Sequence, residues 1–340
     1  MLTIKDEGII LEKTDLEFES RVVFNPACVQ TGEITHMFYR AVDSNDISSI
    51  GYCQLIDNKV VKRFDKPVLS PEFDYEKKGI EDPRVTLLEG TYYLFYTAFD
   101  GKNARVAYAI SNDLPNFTKK GLISPNITYD EASEIFHQVH LDEGYFISKL
   151  QLEKEFKGLN FLWEKDAGLF PKKINGQFAL NHRIRPNIQI IYFQNFEDLT
   201  DDYWSSYLAD LDKFTVLKSK YWFENEYIGG GCPPIETKDG WLLIYHTIER
   251  STEGLTYRAC AALVDLENPT KVIGRLKEPL FSPKEPWEKI GRVNNVVFPS
   301  GAVIKNERLY IYYGAADTCI GAKSVEINDL IQELKKEESK

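Results

Sequence analysis

At 340 residues, with 43% hydrophobic and 27% charged residues, the chain has ordinary globular composition and exceeds single-domain length unless it is a barrel or a repeat array. A formal charge of −11 excludes a nucleic-acid partner, because binding a phosphate backbone needs a basic footprint. No apolar run reaches the length of a membrane span and no charged-then-apolar leader opens the chain, so a cytoplasmic protein with no membrane partner is expected. Cys28, Cys53, Cys232, Cys260 and Cys319 are odd in number, scattered and without a CxxC pair. They read as free buried thiols in a reducing compartment, not as a disulfide frame or zinc site. The aromatic load of 19 Tyr, 20 Phe and 5 Trp suits pleated, half-buried surfaces, and clefts where flat rings meet the faces of pyranoses.

Residues 1–20 are charged and mixed, with a short strand expected at Gly8-Ile9-Ile10-Leu11. A recurring unit follows: a polar or Pro-containing head, a short strand, a Gly- or Asn-bearing turn, an aromatic strand and a return strand. Its first copy runs from Arg21 through Phe24-Asn25-Pro26-Ala27 and Tyr39-Arg40-Ala41 to Leu55. The second is headed by Gly79-Ile80-Glu81-Asp82-Pro83-Arg84, a loop that Pro83 stiffens and that holds two carboxylates and a guanidinium where the chain enters a hairpin. Residues 126–160 break the pattern and read as an elaborated edge of the second and third units. The third unit turns at Asn175-Gly176 and the fourth at Asp239-Gly240, both strong hairpin signals. The fourth opens on Gly229-Gly230-Gly231, a backbone that a substrate could approach closely. The fifth runs from Val293 through Phe298-Pro299-Ser300-Gly301 to Ala315. The tail, residues 326–337, has apolar residues at helical spacing and predicts one amphipathic helix laid over the outside.

Cores near 21–55, 82–111, 165–193, 229–263 and 293–324 recur every roughly 55 to 85 residues, long for a repeat but compatible with blades carrying a fourth strand. The expected fold is all-β: a single five-bladed β-propeller with a short C-terminal helix, its heads converging on one end of a central channel. A pair of β-sandwiches is the structural alternative.

The polar residues nearest that channel would be Asn25, Arg40, Glu81, Asp82, Arg84, Lys165, Asp166, His182, Arg183, His246, Tyr257, Asn294, Asn295 and Asp317. Singly each is an ordinary solvated or hydrogen-bonded side chain; the recurrence at one place in successive units is what carries information. The set suits glycosyl transfer. Asp82 can deliver a proton toward a leaving oxygen, while Lys165, Arg183 and His246 hold an anionic nucleophile such as phosphate. An inverting hydrolase would instead need a second carboxylate acting on water, roughly 6.5–9.5 Å from the acid. No metal-ligand spacing, P-loop, GxGxxG or GxSxG is present, so no metal and no cofactor is expected.

The six heads and strands Gly79–Arg84, Phe24–Ala27, Tyr39–Ala41, Trp241–His246, Tyr257–Ala259 and Asn295–Gly301 together resemble glycoside hydrolase family 130, the β-mannoside phosphorylases and related β-mannosidases. The resemblance runs from about residue 20 to 325 and implies a five-bladed propeller. It implies that Asp82 is the single catalytic acid, passing its proton through a sugar hydroxyl. It implies that Asn25, Arg40 and Asp317 hold the mannosyl unit, with Arg84 and Asn295 as further substrate contacts. Lys165, Arg183 and His246 then match phosphate-binding positions, with Tyr257 beside them. The partners would be a β-mannoside and inorganic phosphate as co-substrate, and the terminal segments could serve a homo-oligomer interface.

One departure bears on the nucleophile. A lysine expected before the Ile-Gly-x-Gly run is replaced by Tyr227, with Glu224 and Glu226 nearby. Those glutamates are the candidate bases of an alternative, hydrolytic mechanism. Two further readings stand beside the enzyme: a non-catalytic mannan-binding propeller lectin, which the differing heads argue against, and a furanoside-cleaving propeller built on Asp82, Asp166 and Asp317, which the crowding cations fit poorly.

Overall fold

The computed structural model of the chain describes residues 2–155, 158 and 160–336. Strand β1 (Lys5–Leu11) is followed by five antiparallel units. Unit 1 comprises β2 (Val22–Thr31), β3 (Ile34–Val42), β4 (Ser48–Ile56) and β5 (Lys59–Arg63). Unit 2 comprises β6 (Gly79–Leu88), β7 (Thr91–Phe99), β8 (Ala104–Ser111) and β9 (Thr118–Leu122), and helices α1 (Tyr129–Gln138) and α2 (Gly144–Glu155) follow it. Unit 3 comprises β10 (Lys165–Leu169), β11 (Phe178–Arg183), β12 (Ile188–Phe193), α3 (Asp201–Ala209) and β13 (Thr215–Leu217). Unit 4 comprises β14 (Tyr227–Gly230), β15 (Ile235–Thr237), β16 (Gly240–Ser251), β17 (Gly254–Val264) and β18 (Val272–Arg275). After the short α4 (Pro286–Lys289), unit 5 comprises β19 (Val297–Lys305), β20 (Arg308–Ala315) and β21 (Cys319–Glu326), and α5 (Ile327–Lys336) ends it.

The chain is therefore all-β with few helices. Among the described residues no helix is long and apolar enough to cross a membrane. The tight turns form where the sequence can take a left-handed backbone. Asp57-Asn58, Glu89-Gly90, Asn175-Gly176 and Asn306-Glu307 have positive φ at both central residues, whose twist matches that of the flanking strands. Units 1 and 2 share one sheet only through a parallel bridge between Ser48 and Gly79. Unit 5 lacks a fourth strand of its own, and β1 supplies it, antiparallel to β21 from Lys5 opposite Ser324 to Leu11 opposite Ile320.

Apolar burial lies between the units. Five main clusters of buried side chains join units 1 and 2, 2 and 3, 3 and 4, 4 and 5, and 5 and 1. The first strands touch in the same cyclic order: β2 with β6, β6 with β10, β10 with β14, and β19 with β2. Helices α1 and α2, in the segment expected as an elaborated edge, add Ala132, Phe136 and Tyr145 to the cluster between units 2 and 3. The tail forms a helix whose Leu330, Ile331 and Leu334 are buried, each side chain stabilising by about 1.5–3 kcal/mol relative to exposure. Residue 337 of the expected helix lies outside the described residues.

A second device recurs in every unit: an aromatic–Glu pair just ahead of the first strand. Phe18-Glu19, Tyr75-Glu76, Trp163-Glu164, Phe223-Glu224 and Trp287-Glu288 all bury the glutamate. Glu76, Glu224 and Glu288 each accept two backbone N–H groups from the preceding turn. Each also accepts a tyrosine hydroxyl from the strand paired with the unit's first strand: Tyr96, Tyr245 and Tyr313. A cation from an outer strand completes each cluster, Lys119 at 2.6 Å, Arg275 at 2.6 Å and Lys323 at 2.8 Å. In unit 1, Glu19 takes Tyr39 and Arg63. In unit 3 Glu164 accepts from the Ser124 hydroxyl and lies 2.8 Å from His182. A buried carboxylate is tolerable only when so satisfied, and these five anchor the approach to each first strand.

Candidate active site

The first strands carry bulges that aim polar side chains into one cleft. Asn25 stands at the bulge of β2, Asp82 at that of β6 and Asp166 at that of β10, with φ of 46°, 50° and 57°. Asn and Asp are the non-glycine residues that best accept this left-handed backbone, and a bulge re-aims the residue it extrudes. Asp82, expected in a loop, is thus inside a strand, and Pro83 completes the bulge. Asp317, between β20 and β21, has φ of 51°.

Together these heads enclose a cleft of about 280 Å³. Asn25, Arg40, Asp82, Lys165, Arg183, His246, Tyr257 and Asp317 all line it. Asn25 Nδ2 donates to Asp82 Oδ1 at 2.8 Å. Arg40 reaches Glu81 at 2.5 Å and Asp82 at 3.4 Å, and Lys165 lies 3.5 Å from Glu81 and 4.0 Å from Asp82. Burial raises the pKa of Asp82, but Arg40, Lys165, Arg84 and the Asn25 amide outweigh it and hold the carboxyl below its ordinary value. Asp317 goes the other way. Burial, with help from Asp82 and Glu81, pushes it up to about 6 against the pull of Arg40 and Arg292.

On the far side Asp166 is a hub. Its Oδ2 accepts from Arg183 Nε at 2.5 Å and faces His246 Nε2 at 3.8 Å, while Oδ1 accepts from Arg84 at 3.3 Å. His246 does not act as the cation the sequence suggests. Burial, reinforced by Arg183 and Arg84, lowers its pKa to about 3 despite Asp166, which favours the neutral imidazole. Its Nδ1 is buried without a protein partner, and its ring lies 4.4 Å from that of Phe298.

Several expectations are corrected by these positions. Arg84 does not face the cleft: 1% exposed, it donates to the carbonyls of Gly231, Asp82 and Gly230 as well as to Asp166, tying unit 2 to unit 4. Asn295 does not line the cleft either; its carbonyl accepts from the Tyr257 N–H at 2.9 Å. The glycines of unit 4 make room for protein, not substrate. A Cβ on Gly229 would lie 2.4 Å from His246 and 2.5 Å from Asp166, and one on Gly231 would lie 2.4 Å from the Ile244 carbonyl. Glu224 and Glu226 are outside the cleft, the first in its anchor and the second in a two-point pair with Arg250 at 2.7 Å. Neither is free to activate water. Glu224→Gln should therefore lower stability by about 3–5 kcal/mol, the scale of breaking a buried ion pair, and leave the folded enzyme's kcat within a few-fold. A hundredfold loss of kcat at unchanged Tm would restore a catalytic role.

Sequence reasoning missed other parts of the wall. Trp163 and Phe298 supply apolar surface, and Arg185 joins Arg183 there beside Tyr227, the residue that the sequence singled out. The Arg183-Ile184-Arg185 alternation, period two, was the available signal.

A cleft of carboxylates opposed by guanidinium and ammonium groups, with aromatic walls, belongs to a carbohydrate-active enzyme. The model of glycoside hydrolase family 130, described as beta-1,4-mannooligosaccharide phosphorylase, matches residues 7–336. The chain belongs to that family. It is 35% identical to the 1,2-beta-oligomannan phosphorylase of Thermoanaerobacter sp. (strain X514), covering 96% of this chain and 97% of the relative. It is 37% identical to the beta-1,2-mannobiose phosphorylase of the same organism, covering 95% and 96%. Among solved structures, the beta-1,2-mannobiose phosphorylase of Listeria innocua superposes with a TM-score of 0.74 at 22% identity, over 99% of this chain and 100% of that one.

Proposed function

We propose that this protein is a phosphorylase that cleaves β-1,2-linked mannosides with inorganic phosphate, releasing mannose 1-phosphate with inversion. The observation that carries this reading is one cleft lined by Asp82 together with Lys165, Arg183 and Arg185, in a chain whose full-length relatives are β-1,2-mannoside phosphorylases. The five antiparallel units, joined cyclically by apolar clusters and closed by β1, support a single-domain five-bladed propeller with the cleft at one end of its axis. The five cysteines are all free and buried, which fits a reducing, cytoplasmic setting.

In the proposed reaction a phosphate oxygen attacks the anomeric carbon from the face opposite the leaving oxygen. The new C–O bond forms as the glycosidic C–O bond breaks, and the proton of Asp82 passes through a sugar hydroxyl to the leaving oxygen. Asn25, Arg40 and Asp317 orient the mannosyl unit, and Lys165, Arg183, His246 and Tyr257 cradle phosphate. The neighbouring cations hold the Asp82 carboxyl below its ordinary pKa. An entering phosphate brings the negative charge that offsets them, and so raises Asp82 toward the protonated form an acid needs. Nucleophile and acid are thus coupled through shared cations.

The test is product analysis on β-1,2- and β-1,4-mannobiose with and without phosphate. Mannose 1-phosphate from the β-1,2 disaccharide, only with phosphate, is expected. Free mannose at a phosphate-independent rate would make the enzyme a hydrolase.

A further inference from the structure

We propose that Arg185 is a ligand of the phosphate co-substrate, held in reserve for it by stacking on Tyr227; this rests on the phosphorolytic reading. Each other cation of the cleft already has a carboxylate. Arg40 is 2.5 Å from Glu81, Lys165 is 3.5 Å from Glu81, and Arg183 is 2.5 Å from Asp166. Arg185 lines the same cleft, and among the described residues it has no carboxylate within ion-pair distance. Its guanidinium sits 3.9 Å from the centroid of the Tyr227 ring, and Nη2 donates to the Tyr227 hydroxyl at 2.9 Å. Its Nε is buried with no partner.

The arrangement positions a cation without neutralising it. Stacking on an aromatic face fixes the plane of a guanidinium while leaving its charge and part of its donor fork unspent. Arg183 lies 4.8 Å from the same ring, so two guanidiniums converge on Tyr227 at one end of the cleft. Like charges so placed repel, and a dianion between their donors relieves that repulsion while accepting charge-assisted hydrogen bonds. Tyr257 lines the same cleft as Tyr227, so the platform for this cation is part of the wall itself. Tyr227 is then a platform for Arg185 and not a gap in the cradle.

The experiment measures phosphorolysis of β-1,2-mannobiose by the wild type, Arg185→Gln, Arg185→Lys and Tyr227→Phe, varying phosphate and disaccharide separately, with Tm for each. Loss of a charged hydrogen-bonding ligand should raise the phosphate KM of Arg185→Gln by roughly 10- to 100-fold. The disaccharide KM at saturating phosphate should stay within a few-fold. Arg185→Lys, which keeps the charge without the planar fork, and Tyr227→Phe, which keeps the ring without the hydroxyl, should fall between. Wild-type phosphorolysis with an unchanged phosphate KM in the two Arg185 variants would overturn this inference and leave the functional reading standing. Equal rises in both KM values, tracking a loss of Tm, would also overturn it, since a structural role predicts that pattern. A wild type that releases free mannose without phosphate would overturn the functional reading, and this inference with it.

Discussion

Asp82→Asn is expected to cut mannose 1-phosphate release by about 10²- to 10⁴-fold, the usual contribution of a general acid, with the fold intact. The substitution removes the transferable proton and one negative charge and keeps the shape of the side chain. Asparagine accepts the left-handed backbone that Asp82 occupies at φ 50°, and its carbonyl oxygen can still accept from Asn25, now 2.8 Å from Oδ1. Arg40 and Lys165 lose one counter-charge and keep Glu81. Stability should shift by roughly 1 kcal/mol or less, as for an ordinary substitution. The rate and Tm of the purified variant check this together. Near-normal turnover would remove Asp82 from the mechanism.

Asp166 should behave in the opposite manner, with its largest effect on stability. It is 3% exposed and is the shared counter-ion of Arg183 and Arg84. Removing it leaves two buried guanidiniums without a carboxylate, a change that costs about 3–5 kcal/mol. Asp166→Asn keeps shape and backbone and isolates the charge; Asp166→Ala adds the strain of a left-handed alanine at φ 57°. The pH dependence has a defined sign. Burial alone would raise the Asp166 pKa, but Arg183, His246, Arg84 and Lys165 depress it far below the ordinary carboxylate value. A depressed carboxylate contributes its stability above the unfolded pKa of about 3.9 and loses it as pH falls through the folded value. The gap between wild type and Asp166→Asn should therefore be full at pH 7 and narrow below about pH 4 in denaturant titrations. Equal stabilities at pH 7 would mean that the two arginines find compensation elsewhere.

What the sequence made legible was local. Asn175-Gly176 announces its hairpin because the turn's backbone demand is met by those two residues alone, at φ 51° and 79°. The Asx heads were visible for the same reason, since the residue that tolerates a left-handed bulge is also the one that brings a carboxylate or amide to the cleft. Roles that depend on distant partners were not legible. Glu224 looks like an unattached carboxylate until Arg275, 51 positions later, closes on it. Arg84 looks like a substrate ligand until its donors are found on carbonyls almost 150 positions away. His246 reads as a cation because nothing in a linear chain reports the burial that neutralises it. The aromatic–Glu pair ahead of each unit was in plain view at five places, yet its meaning lies in tyrosines and cations of later strands.

The pairing of β1 with β21 has a consequence for how the molecule comes into being. Lys5 emerges from the ribosome long before Ser324, its partner opposite, and Ser324 also bonds to Glu7 across 317 positions. At a synthesis rate of about 5–20 residues per second, β1 waits roughly 15 to 60 seconds with its hydrogen-bonding edge unmatched. Unit 5 cannot complete its sheet, nor unit 1 gain its final neighbour, before translation of the far end. Contacts of such sequence separation close slowly because chain entropy is lost before they reward it. Charged Lys5, Asp6 and Glu7 keep that waiting edge hydrated and discourage another chain from taking the vacant place.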